Sequence, residues 1–476
     1  MRKAWLLLDH ALEKAYSYYL TMDYLGIDIG TSFIKGGVLD IDNCKLDAVE
    51  RIPSPEPYSD EQGMLHEVDP ARFVSAVRQI IGRLMAASDG CAGIVICGQM
   101  GDLVLTDDLG EAKFRYISWL DRRSLLEHPS GRGTYFDLYS ERLGTKWPAR
   151  LGNEVRPGLP LAFLFWLEQN SQLLDGSIPV TLPDYVASNL CGVKLVMEWT
   201  STTSTLDVET RSWPGELIKQ LNLERLAWPE IVDFRHQVGH CEIESARIPV
   251  YAAVGDHQCA VAGTLLQEGE LSINISTGSQ VAMIAPDATV GDYQLRPFFD
   301  AHNLRTITNI PAGRSLATLV KLLMEIPAAQ KIELDDPWDY VFQQAERILD
   351  SDMVSNLAFF PGSVEGPGQL SNLHEGNLSV GHLFRSALET MAGYYERFAQ
   401  RLSPAGDWQR IVFSGGIAQR SELLRRLICD RLKDQYRLTS STEDTMIGLM
   451  VLARVVSGLD QTTGEASDAV RRNIQA

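Results

Sequence analysis

The chain has 476 residues, of which 45% are hydrophobic and 22% are charged. Because single hydrophobic cores stop growing at about 250–300 residues, this length predicts two large domains, and the composition excludes a mostly disordered chain. The formal net charge of −19 disfavours binding to nucleic acid, since that affinity depends on lysine and arginine side chains that displace counterions.

Cysteine usage and hydropathy narrow the class of protein further. The seven cysteines are scattered and odd in number, without a C-x-x-C pair, which favours reduced thiols in the cytoplasm over a disulfide framework or a zinc site. No stretch reaches the ~18–20 apolar residues that a membrane helix needs. We therefore expect no membrane association.

Residues 1–22 form an N-terminal extension before the first domain-like pattern. The stretch has a basic start and a short leucine run, but charged residues interrupt it and no small-residue cleavage site follows. We expect an appended helix, or an initiation site at Met22, rather than a signal peptide.

The first element with chemical character is the stretch DYLGIDIGTSFIKGGVLDI, which begins at Asp23. It predicts a β-hairpin whose turn, Gly30-Thr31-Ser32, exposes backbone N–H groups and hydroxyls that can cradle phosphate oxygens. The alternative is an ordinary hairpin turn without a ligand. Asp28 stands on an otherwise apolar strand, where a carboxylate is costly unless a cation such as Mg²⁺ lies near it. The alternative there is a solvated acid on an edge strand.

A helix and a strand are predicted next. Asp69 is a suitable N-cap and Pro70 a suitable first helical residue. The helix that follows has apolar residues on one face, at Phe73, Val74, Val77, Ile80, Ile81 and Leu84. The strand Gly93–Cys97 then ends in a Gly-Gln-Met-Gly turn, and function in α/β folds concentrates at the carboxyl ends of strands.

The segment YISWLDRRS places Trp119, Asp121, Arg122 and Arg123 within one short run. An aromatic face, a carboxylate and a guanidinium can bind a polyhydroxylated substrate by stacking and by charge-assisted hydrogen bonds. The alternative is a surface ion-pair cluster that binds nothing.

A second round of the same pattern begins after Ile248, so we predict domains over 23–248 and 249–476. A strand delivers Asp256 to its end, where a carboxylate can act as the base in phosphoryl transfer or can cap the small-residue helix that follows. We assign no role to His257, because such a residue is more often a packed neighbour than a catalyst.

The hairpin pattern recurs in SINISTGSQVAMI, which has Thr277-Gly278-Ser279 in its turn and is therefore a second candidate phosphate site. We interpret the two hairpins as a weak internal duplication. Near the C-terminus, a strand, the turn Gly415-Gly416 and an amphipathic helix place a third glycine turn where a ligand would bind.

In this order, the pieces resemble the FGGY carbohydrate kinase family of the actin-like ATPase superfamily. GIDIGTSFIK resembles its first phosphate motif, NISTGSQ its second, GDHQCAVAG its catalytic-aspartate motif and FSGGIAQRSELLRRL its adenosine-site motif. On the sugar side HEVDP, ICGQM and SWLDRR match, as do the mid-domain segments LPDYVASNLCG and EWTSTTSTLDVET. The resemblance extends from Asp23 to Val456, nearly the whole chain.

The resemblance implies an α/β fold of two actin-like (ribonuclease H-like) domains that flank a central catalytic cleft. The N-terminal domain would bind the sugar, and the C-terminal domain would bind most of ATP and Mg²⁺. Asp256 would be the catalytic base that deprotonates a sugar hydroxyl, and Asp28 would help to hold Mg²⁺ through water.

The family motifs also imply ligand-binding residues at the matching positions. The sugar would contact Gln99, Met100, Trp119, Asp121, Arg123 and Asp256. ATP would be bound by Gly30, Thr31, Ser32, Lys35, Thr277, Gly278, Ser279, Gly313, Gly415 and Gly416. Beyond the sugar, we expect neither nucleic acid nor membrane as a partner, and we include a homodimer among the expected assemblies.

Two departures from the family bear on the substrate. Gly101-Asp102 follows Gly-Gln-Met where many members have His-Gly, and the loop 359–372 lacks the arginine of the family's Gly-Glu-Arg segment. Both departures disfavour xylulose and glycerol. Matches that are less specific than the catalytic motifs, such as PFFDAHNL and LSVGHLFRSALETMAG, indicate the sedoheptulokinase-like branch. A seven-carbon ketose is therefore the first candidate, and another ketose or polyol (xylulose, ribulose, gluconate or glycerol) is the second.

A non-catalytic sugar sensor on the same fold is the competing hypothesis. A transcriptional regulator would be expected to add a basic helix-turn-helix, for which residues 1–22 are too short. The presence of both Asp28 and Asp256 favours a kinase over a non-catalytic sensor.

Overall fold

The computed structural model describes residues 23–88, 90–243, 246–439 and 443–475. The predicted N-terminal extension, residues 1–22, lies outside these residues. Contacts divide the chain into two compact units. Unit 1 contains the described parts of Met1–Leu265, Arg296–His302 and Glu443–Ala476, and unit 2 contains Leu266–Leu295 and the described part of Asn303–Thr442. The domain limits predicted at residues 248 and 249 follow motif order rather than contacts and stay a prediction.

Unit 1 is built on a seven-stranded mixed sheet with smaller sheets and helices around it. Its strands up to Leu265 are β1 (Asp23–Ile29), β2 (Phe33–Asp40), β3 (Lys45–Pro53), β4 (Tyr58–Ser59), β5 (His66–Val68), β6 (Cys91–Gly98), β7 (Val104–Thr106), β8 (Tyr116–Ile117), β9 (Ile178–Val180), β10 (Val196–Glu198), β11 (Glu230–Val232), β12 (Gln237–Ile243), β13 (Ala246–Tyr251) and β14 (Val254–Gly255). The helices of this part are α1 (Ala71–Met85), α2 (Tyr135–Leu143), α3 (Trp147–Arg150), α4 (Pro160–Gln169), α5 (Leu182–Cys191), α6 (Gly215–Gln220) and α7 (Asp256–Gly263).

The large sheet of unit 1 has the strand order β12-β13-β6-β1-β2-β3, with β14 beside β6. Its central strands β1 and β6 are buried along most of their length, as expected for strands that are covered on both faces. The predicted strand Gly93–Cys97 lies within β6. The core of unit 1 therefore forms around β1 and β6, and their carboxyl ends lie at one edge of the sheet.

Helix α1 packs its predicted apolar face into this core. Phe73, Val77 and Ile80 are buried, as are Ile81 and Leu84, which confirms the helical periodicity. The predicted N-cap is displaced by one residue: Pro70 already has helical dihedral angles and occupies the cap position. The Asp69 carboxylate accepts a hydrogen bond from the N–H of Ala71 at 3.0 Å.

Unit 2 contains a six-stranded sheet with the order β17-β18-β16-β15-β21-β22 and a separate two-stranded pair, β19-β20. The strands are β15 (Glu270–Ile275), β16 (Ser279–Ala285), β17 (Gln294–Pro297, whose last two residues belong to unit 1), β18 (Asn303–Ile310), β19 (Val354–Asn356), β20 (Gln369–Ser371), β21 (Arg410–Ser414) and β22 (Tyr436–Leu438). The helices are α8 (Gly313–Ala329), α9 (Pro337–Arg347), α10 (Val380–Leu402), α11 (Gly416–Arg420) and α12 (Glu422–Leu432).

The two large sheets repeat one arrangement of strands. In unit 1, β1 pairs antiparallel with β2 and parallel with β6. In unit 2, β15 pairs antiparallel with β16 and parallel with β21. The internal duplication predicted from the two hairpins is therefore present in the strand pairing, although the sequences of the hairpins match only loosely.

The C-terminal helices α13 (Asp444–Val456) and α14 (Thr463–Gln475) belong to unit 1. Helix α13 packs closely against α7, because a Cβ atom on Gly263 would overlap the carbonyl oxygen of Asp444, and one on Gly448 would overlap the carbonyl oxygen of Cys259. Only glycine permits this approach of two helix backbones. It brings the first turn of α13 close to the end of β1.

All seven cysteines are free thiols. In the described ranges, no helix combines the length and the apolar character needed to cross a bilayer.

The contact between α7 and α13 gives a test of the fold. We expect Gly448→Ala to lower the free energy of unfolding by about 3 kcal/mol or more, since the added methyl group must displace the backbone of α7. Gly82→Ala in α1 is the matched control, because a Cβ there meets nothing within 4 Å, and it should be neutral or slightly stabilising. Denaturation followed by circular dichroism measures both, and equal losses in the two variants would contradict the close approach.

Candidate active site

Three parallel strands of unit 1 end at the same level. Ile29 of β1 lies opposite Gly98 of β6, and Gly98 lies opposite Gly255 of β14. Because the carboxyl ends of parallel strands meet at one edge of a sheet, the residues that follow these strands are brought together. They are the first glycine turn, the Gly-Gln-Met turn and Asp256. We call this place the unit 1 edge.

Asp28 lies one residue before the end of β1, between the buried side chains of Ile27 and Ile29. Because β1 is a central strand, the alternative of a solvated acid on an edge strand is wrong. Oδ2 of Asp28 accepts a hydrogen bond from Oγ1 of Thr445 at 2.8 Å. Burial raises the pKa of the Asp28 carboxyl, and the Thr445 hydrogen bond and the Lys35 ammonium partly offset that rise.

The neighbours of Asp28 come from distant parts of the sequence. Lys35 lies opposite Asp28 in the register of β1 and β2, and its Nζ is 3.0 Å from Oε2 of Glu443. Glu443 and Thr445 stand at the start of α13, and Thr445 is 417 positions from Asp28 along the chain. Sequence analysis missed both, since no local pattern near Asp28 indicates them.

Asp256 is the first residue of α7, directly after β14, and its side chain is partly exposed. Burial, followed by the charge of Asp28, raises the pKa of the Asp256 carboxyl to about 7, while the backbone N–H of His257 and the charge of Arg296 act in the opposite direction. Gly255 occupies the N-cap position, so the alternative that Asp256 caps the helix is wrong. A carboxyl with this pKa exchanges a proton readily near neutral pH.

The first glycine turn is joined through Thr31 to two residues that were predicted to bind the sugar. The turn is closed by a hydrogen bond from the N–H of Gly30 to the carbonyl of Phe33 at 3.1 Å. Oγ1 of Thr31 donates to Oε1 of Gln99 at 3.1 Å and accepts from Nε1 of Trp119 at 3.0 Å. The structure thus brings together three residues that were predicted on separate motifs. Ser32, like Thr31, is exposed.

Asp121 and Arg123 form a buried ion pair a few residues after the exposed Trp119. Asp121 is 0% exposed and Arg123 is 3% exposed, whereas Trp119 is 36% exposed. Nε of Arg123 donates to Oδ1 of Asp121 at 2.9 Å, and its Nη2 donates to Oε1 of Glu67 at 2.6 Å. The backbone N–H of His66 completes the cluster through Oδ2 of Asp121 at 2.8 Å. The alternative of a surface ion-pair cluster is therefore wrong, and direct contact of this pair with a sugar stays a prediction.

Met100 packs against the loop that carries Asp256. A Cβ atom on Gly255 would lie 2.5 Å from the Met100 sulfur, so the Met100 side chain lies directly against the end of β14. This contact places Met100 beside the residue that precedes Asp256.

Unit 2 has its own convergence of glycine turns. The N–H of Gly313 donates to the carbonyl of Ser276 at 3.0 Å, which joins the start of α8 to the second hairpin turn. A Cβ on Gly313 would lie 2.5 Å from that carbonyl, and one on Gly415 would lie 2.5 Å from the carbonyl of Ile275. Gly415 also has φ +88°, which side chains rarely adopt. We call these three turns the unit 2 cradle.

Thr277 and Gly278 are exposed at the tip of the unit 2 cradle, and Gly416 is exposed beside them at the start of α11. Ser279 is only 2% exposed. Its hydroxyl bonds the carbonyl of Asn274 and lies 2.8 Å from the Tyr395 hydroxyl. The structure therefore places the Ser279 side chain in the base of the turn rather than at its surface.

Asn274 is a cradle residue that sequence analysis did not single out. Its Nδ2 donates to Oγ of Ser414 at 2.8 Å, and its Oδ1 accepts from Oγ of Ser276 at 2.9 Å. Asn274 therefore fixes β15, β21 and the turn to one another. The motif NISTGSQ contained it, but an asparagine in a strand carries no chemical signal of its own.

An apolar cavity of about 540 Å³ lies between α8 and α9, within unit 2. Val320, Leu323 and Met324 line it from α8, and Tyr340 and Val341 line it from α9. It lies two helical turns along α8 from Gly313, or about 10 Å at the helical rise.

Comparison with known proteins identifies relatives of unit 1 and of the whole chain. Residues 23–263 match the family model described as the FGGY family of carbohydrate kinases, N-terminal domain. Sedoheptulokinase of Mus musculus is 23% identical over 447 residues, which cover 84% of this chain and 91% of the relative. Xylulose kinase of Lactococcus lactis subsp. lactis (strain IL1403) is 26% identical over 298 residues, which cover 59% of this chain and 56% of the relative.

Solved structures show the same fold. Gluconate kinase from Lactobacillus acidophilus superposes with a TM-score of 0.81 at 18% identity, over 94% of this chain and 92% of that chain. Xylulose kinase from the same species superposes with a TM-score of 0.80 at 18% identity, over the same shares of the two chains. At this level of identity the likeness shows the fold alone, and it confirms the predicted α/β class with two actin-like domains.

The elevated pKa of Asp256 predicts a pH-dependent effect on stability. In the folded chain the pKa is about 7, whereas that of an unperturbed aspartate is about 3.9, so ionisation above pH 7 disfavours folding. Asp256→Asn should raise the free energy of unfolding by about 2–4 kcal/mol at pH 8, and the gain should decline as the pH falls through 7 and vanish near pH 4. Urea denaturation at several pH values measures it. The exposed Asp42→Asn is the control, and a gain independent of pH would contradict the shift.

Proposed function

The chain belongs to the FGGY family of carbohydrate kinases, whose members phosphorylate sugars with ATP, and from that premise we propose that it phosphorylates a ketose. Sedoheptulose is the first candidate substrate. The alignment with the Mus musculus sedoheptulokinase, which covers 84% of this chain and 91% of that relative, supports this choice.

The observation that carries the proposal is the carboxylate of Asp256 at the unit 1 edge. Its pKa of about 7 leaves it largely able to accept a proton at neutral pH. A general base with a pKa near the working pH combines the correct protonation state with driving force for proton transfer. In the proposed reaction Asp256 takes the proton of one sugar hydroxyl as that oxygen attacks the γ-phosphorus of ATP, and ADP is the leaving group.

Asp28 fits the requirements of a magnesium site. Mg²⁺ prefers oxygen ligands and keeps several waters, so it needs one or two carboxylates and substrate phosphates. The Asp28 carboxylate is partly exposed, and one bond to Thr445 uses one of about four lone-pair positions. A bound Mg²⁺ would neutralise phosphate charge. Lys35, opposite Asp28 on β2, adds positive charge on the same side.

We assign ATP mainly to the unit 2 cradle. Backbone N–H groups in such turns bind phosphate oxygens, and Thr277 and Gly278 are exposed there. Gly313 and Gly415 keep the cradle compact, because a side chain on either would meet a carbonyl oxygen. The apolar cavity between α8 and α9, about 10 Å along the helix, matches the separation between the phosphates and the base of ATP, so we assign the adenine to it.

Sugar binding is assigned to Gln99, Met100 and Trp119 on unit 1. Trp119 offers a half-exposed ring for stacking. Asp102, which stands where many family members have histidine, is fully buried and accepts a hydrogen bond from the N–H of Leu182 at 3.0 Å. Because Asp102 is buried, Met100 and not Asp102 would contact the sugar, which is consistent with a longer sugar than xylulose. Cytoplasmic location and a homodimer stay predictions.

A substrate panel tests the proposal. Purified protein with ATP and Mg²⁺ should release ADP with sedoheptulose, and more slowly or not at all with ribulose, xylulose, fructose, gluconate, glycerol and erythritol. Asp256→Asn should lower kcat by about 10²–10⁴-fold, the usual contribution of a general base, and should leave the Kd of ATP unchanged. Turnover on another panel sugar would replace the substrate and keep the mechanism, whereas a variant that retains most of its turnover would refute Asp256 as the base.

The unit 2 cradle is tested by a matched pair of glycine variants. Gly415→Ala should weaken ATP binding by at least about tenfold, because the residue has φ +88° and its Cβ would meet the Ile275 carbonyl. Gly393→Ala in α10, away from the cradle, should bind ATP as the wild type does, since a Cβ there meets nothing within 4 Å. Isothermal titration calorimetry measures both. Equal affinities in the two variants would remove the cradle from the nucleotide site.

A further inference from the structure

Arg314 is the second residue of α8 and is part of the unit 2 cradle through its backbone. Its N–H donates to the carbonyl of Thr277 at 2.9 Å, next to the bond by which Gly313 joins α8 to the second hairpin turn. The Arg314 side chain is exposed, as are Thr277 and Gly278 at the tip of the cradle. This side chain therefore leaves the backbone directly beside the turn to which we assign the phosphates.

The Arg314 guanidinium stacks on an aromatic ring. Its Cζ lies 3.8 Å from the centre of the Phe360 ring, which is the geometry of a cation–π pair. A guanidinium in such a pair contacts the face of the ring, and the N–H groups at its edges can still donate hydrogen bonds. The contact with Phe360 thus restricts where the cation lies without using up its donors.

The loop that carries Phe360 is tied to the elements that form the cradle. Before Phe360, the carbonyl of Leu357 accepts a hydrogen bond from Oγ of Ser315, on α8, at 2.8 Å. After it, the N–H of Ser363 donates to the carbonyl of Asn309, near the end of β18, at 3.2 Å. Hydrogen bonds on both sides of Phe360 therefore hold its loop against β18 and α8.

The charge of Arg314 is not neutralised by a carboxylate. Arg420, on α11 of the same cradle, pairs with Asp336 and Asp339, whereas no carboxylate of the described residues lies within ion-pair distance of Arg314. The groups that we assign to the phosphates in unit 2 are neutral, and a chain with a net charge of −19 repels an anionic ligand. Arg314 places a cation at the cradle, where it would offset this repulsion.

We propose that the Arg314 side chain binds the polyphosphate of ATP at the unit 2 cradle by charge-assisted hydrogen bonds, and that Phe360 positions it. The proposal rests on the proposed function, which assigns ATP to this cradle. A guanidinium can donate two parallel bonds to phosphate oxygens, so Arg314 would orient the polyphosphate as well as neutralise part of its charge. Sequence analysis missed both residues, because an arginine in a helix and a phenylalanine in a later loop share no pattern along the chain.

Nucleotide affinity, measured by isothermal titration calorimetry on the full chain, tests Arg314. Arg314→Gln should raise the Kd of ATP by about tenfold or more and leave that of adenosine, which has no phosphate, within about twofold of the wild type. Arg314→Lys keeps the charge and should bind ATP within about fivefold of the wild type.

The matched control is Arg397→Gln. Arg397 is an exposed arginine of α10 that also stacks on a ring, that of Phe398 at 4.7 Å, so this variant loses the same charge and the same kind of contact away from the cradle. It should bind ATP as the wild type does. An unchanged Kd of ATP in Arg314→Gln, an equal loss of adenosine affinity, or an equal loss of ATP affinity in Arg397→Gln would overturn the proposal.

A double-mutant cycle tests the positioning role of Phe360. Phe360→Leu removes the ring face and should raise the Kd of ATP by about two- to fivefold. When Arg314→Gln is already present, the ring has no guanidinium to position, so the added Phe360→Leu should cause no further loss of affinity. Losses that simply add in the double variant would show that Phe360 acts independently of Arg314 and would refute its positioning role.

The outcomes distinguish this inference from the proposed function. A wild type that binds no ATP refutes the proposed function, and the Arg314 contact with it. A wild type that binds ATP and phosphorylates a sugar, while Arg314→Gln binds ATP equally well, refutes the Arg314 contact alone. A wild type that binds ATP but turns over no sugar of the panel refutes the proposed function, and the Kd of ATP in the variants still decides the contact.

Discussion

The site depends on one electrostatic constraint: two carboxylates lie at the same edge of one sheet, at the ends of two parallel strands that both pair with β6. Asp28 lies between the buried side chains of Ile27 and Ile29, and its charge raises the pKa of Asp256. Opposing groups limit this rise. Thr445 and Lys35 stabilise the charge on Asp28, and Arg296 stabilises that on Asp256. The balance leaves Asp256 titrating near neutral pH, which is where a base is most effective.

The duplicated hairpins show how one backbone arrangement serves two chemistries. The motif IDIGTS of unit 1 aligns with INISTG of unit 2, so Asn274 stands where Asp28 stands. The amide of Asn274 joins Ser414 and Ser276, whereas the carboxylate of Asp28 accepts from Thr445. A carboxylate in the unit 2 turn would repel phosphates, and an amide in the unit 1 turn would be a poor ligand for a divalent cation. The change of one residue thus fits each turn to its assigned ligand.

The sequence predicted the features that depend on residues close together along the chain and missed those that depend on residues far apart. Both hairpins, the buried face of α1 and the position of Asp256 at a strand end depend on residues within a few positions, and all were predicted. The supports of the carboxylates were not, because Thr445 reaches Asp28 only through the packing of α13 on α7. Arg314 and Phe360 likewise meet only in the folded chain. Asp121 gave a surface-like charge pattern, although the fold buries it, since burial is a property of the surrounding loops rather than of the run itself.

Two hydrogen bonds hold the end of β14, directly before Asp256, in place. The N–H of Gly255 donates to Oγ1 of Thr200 at 2.8 Å, and the N–H of Thr200 donates to Oε2 of Glu198 at 2.7 Å. Burial raises the pKa of the Glu198 carboxyl to about 8, so it is protonated at neutral pH. The buried acid therefore fixes the residue before Asp256 without altering its charge.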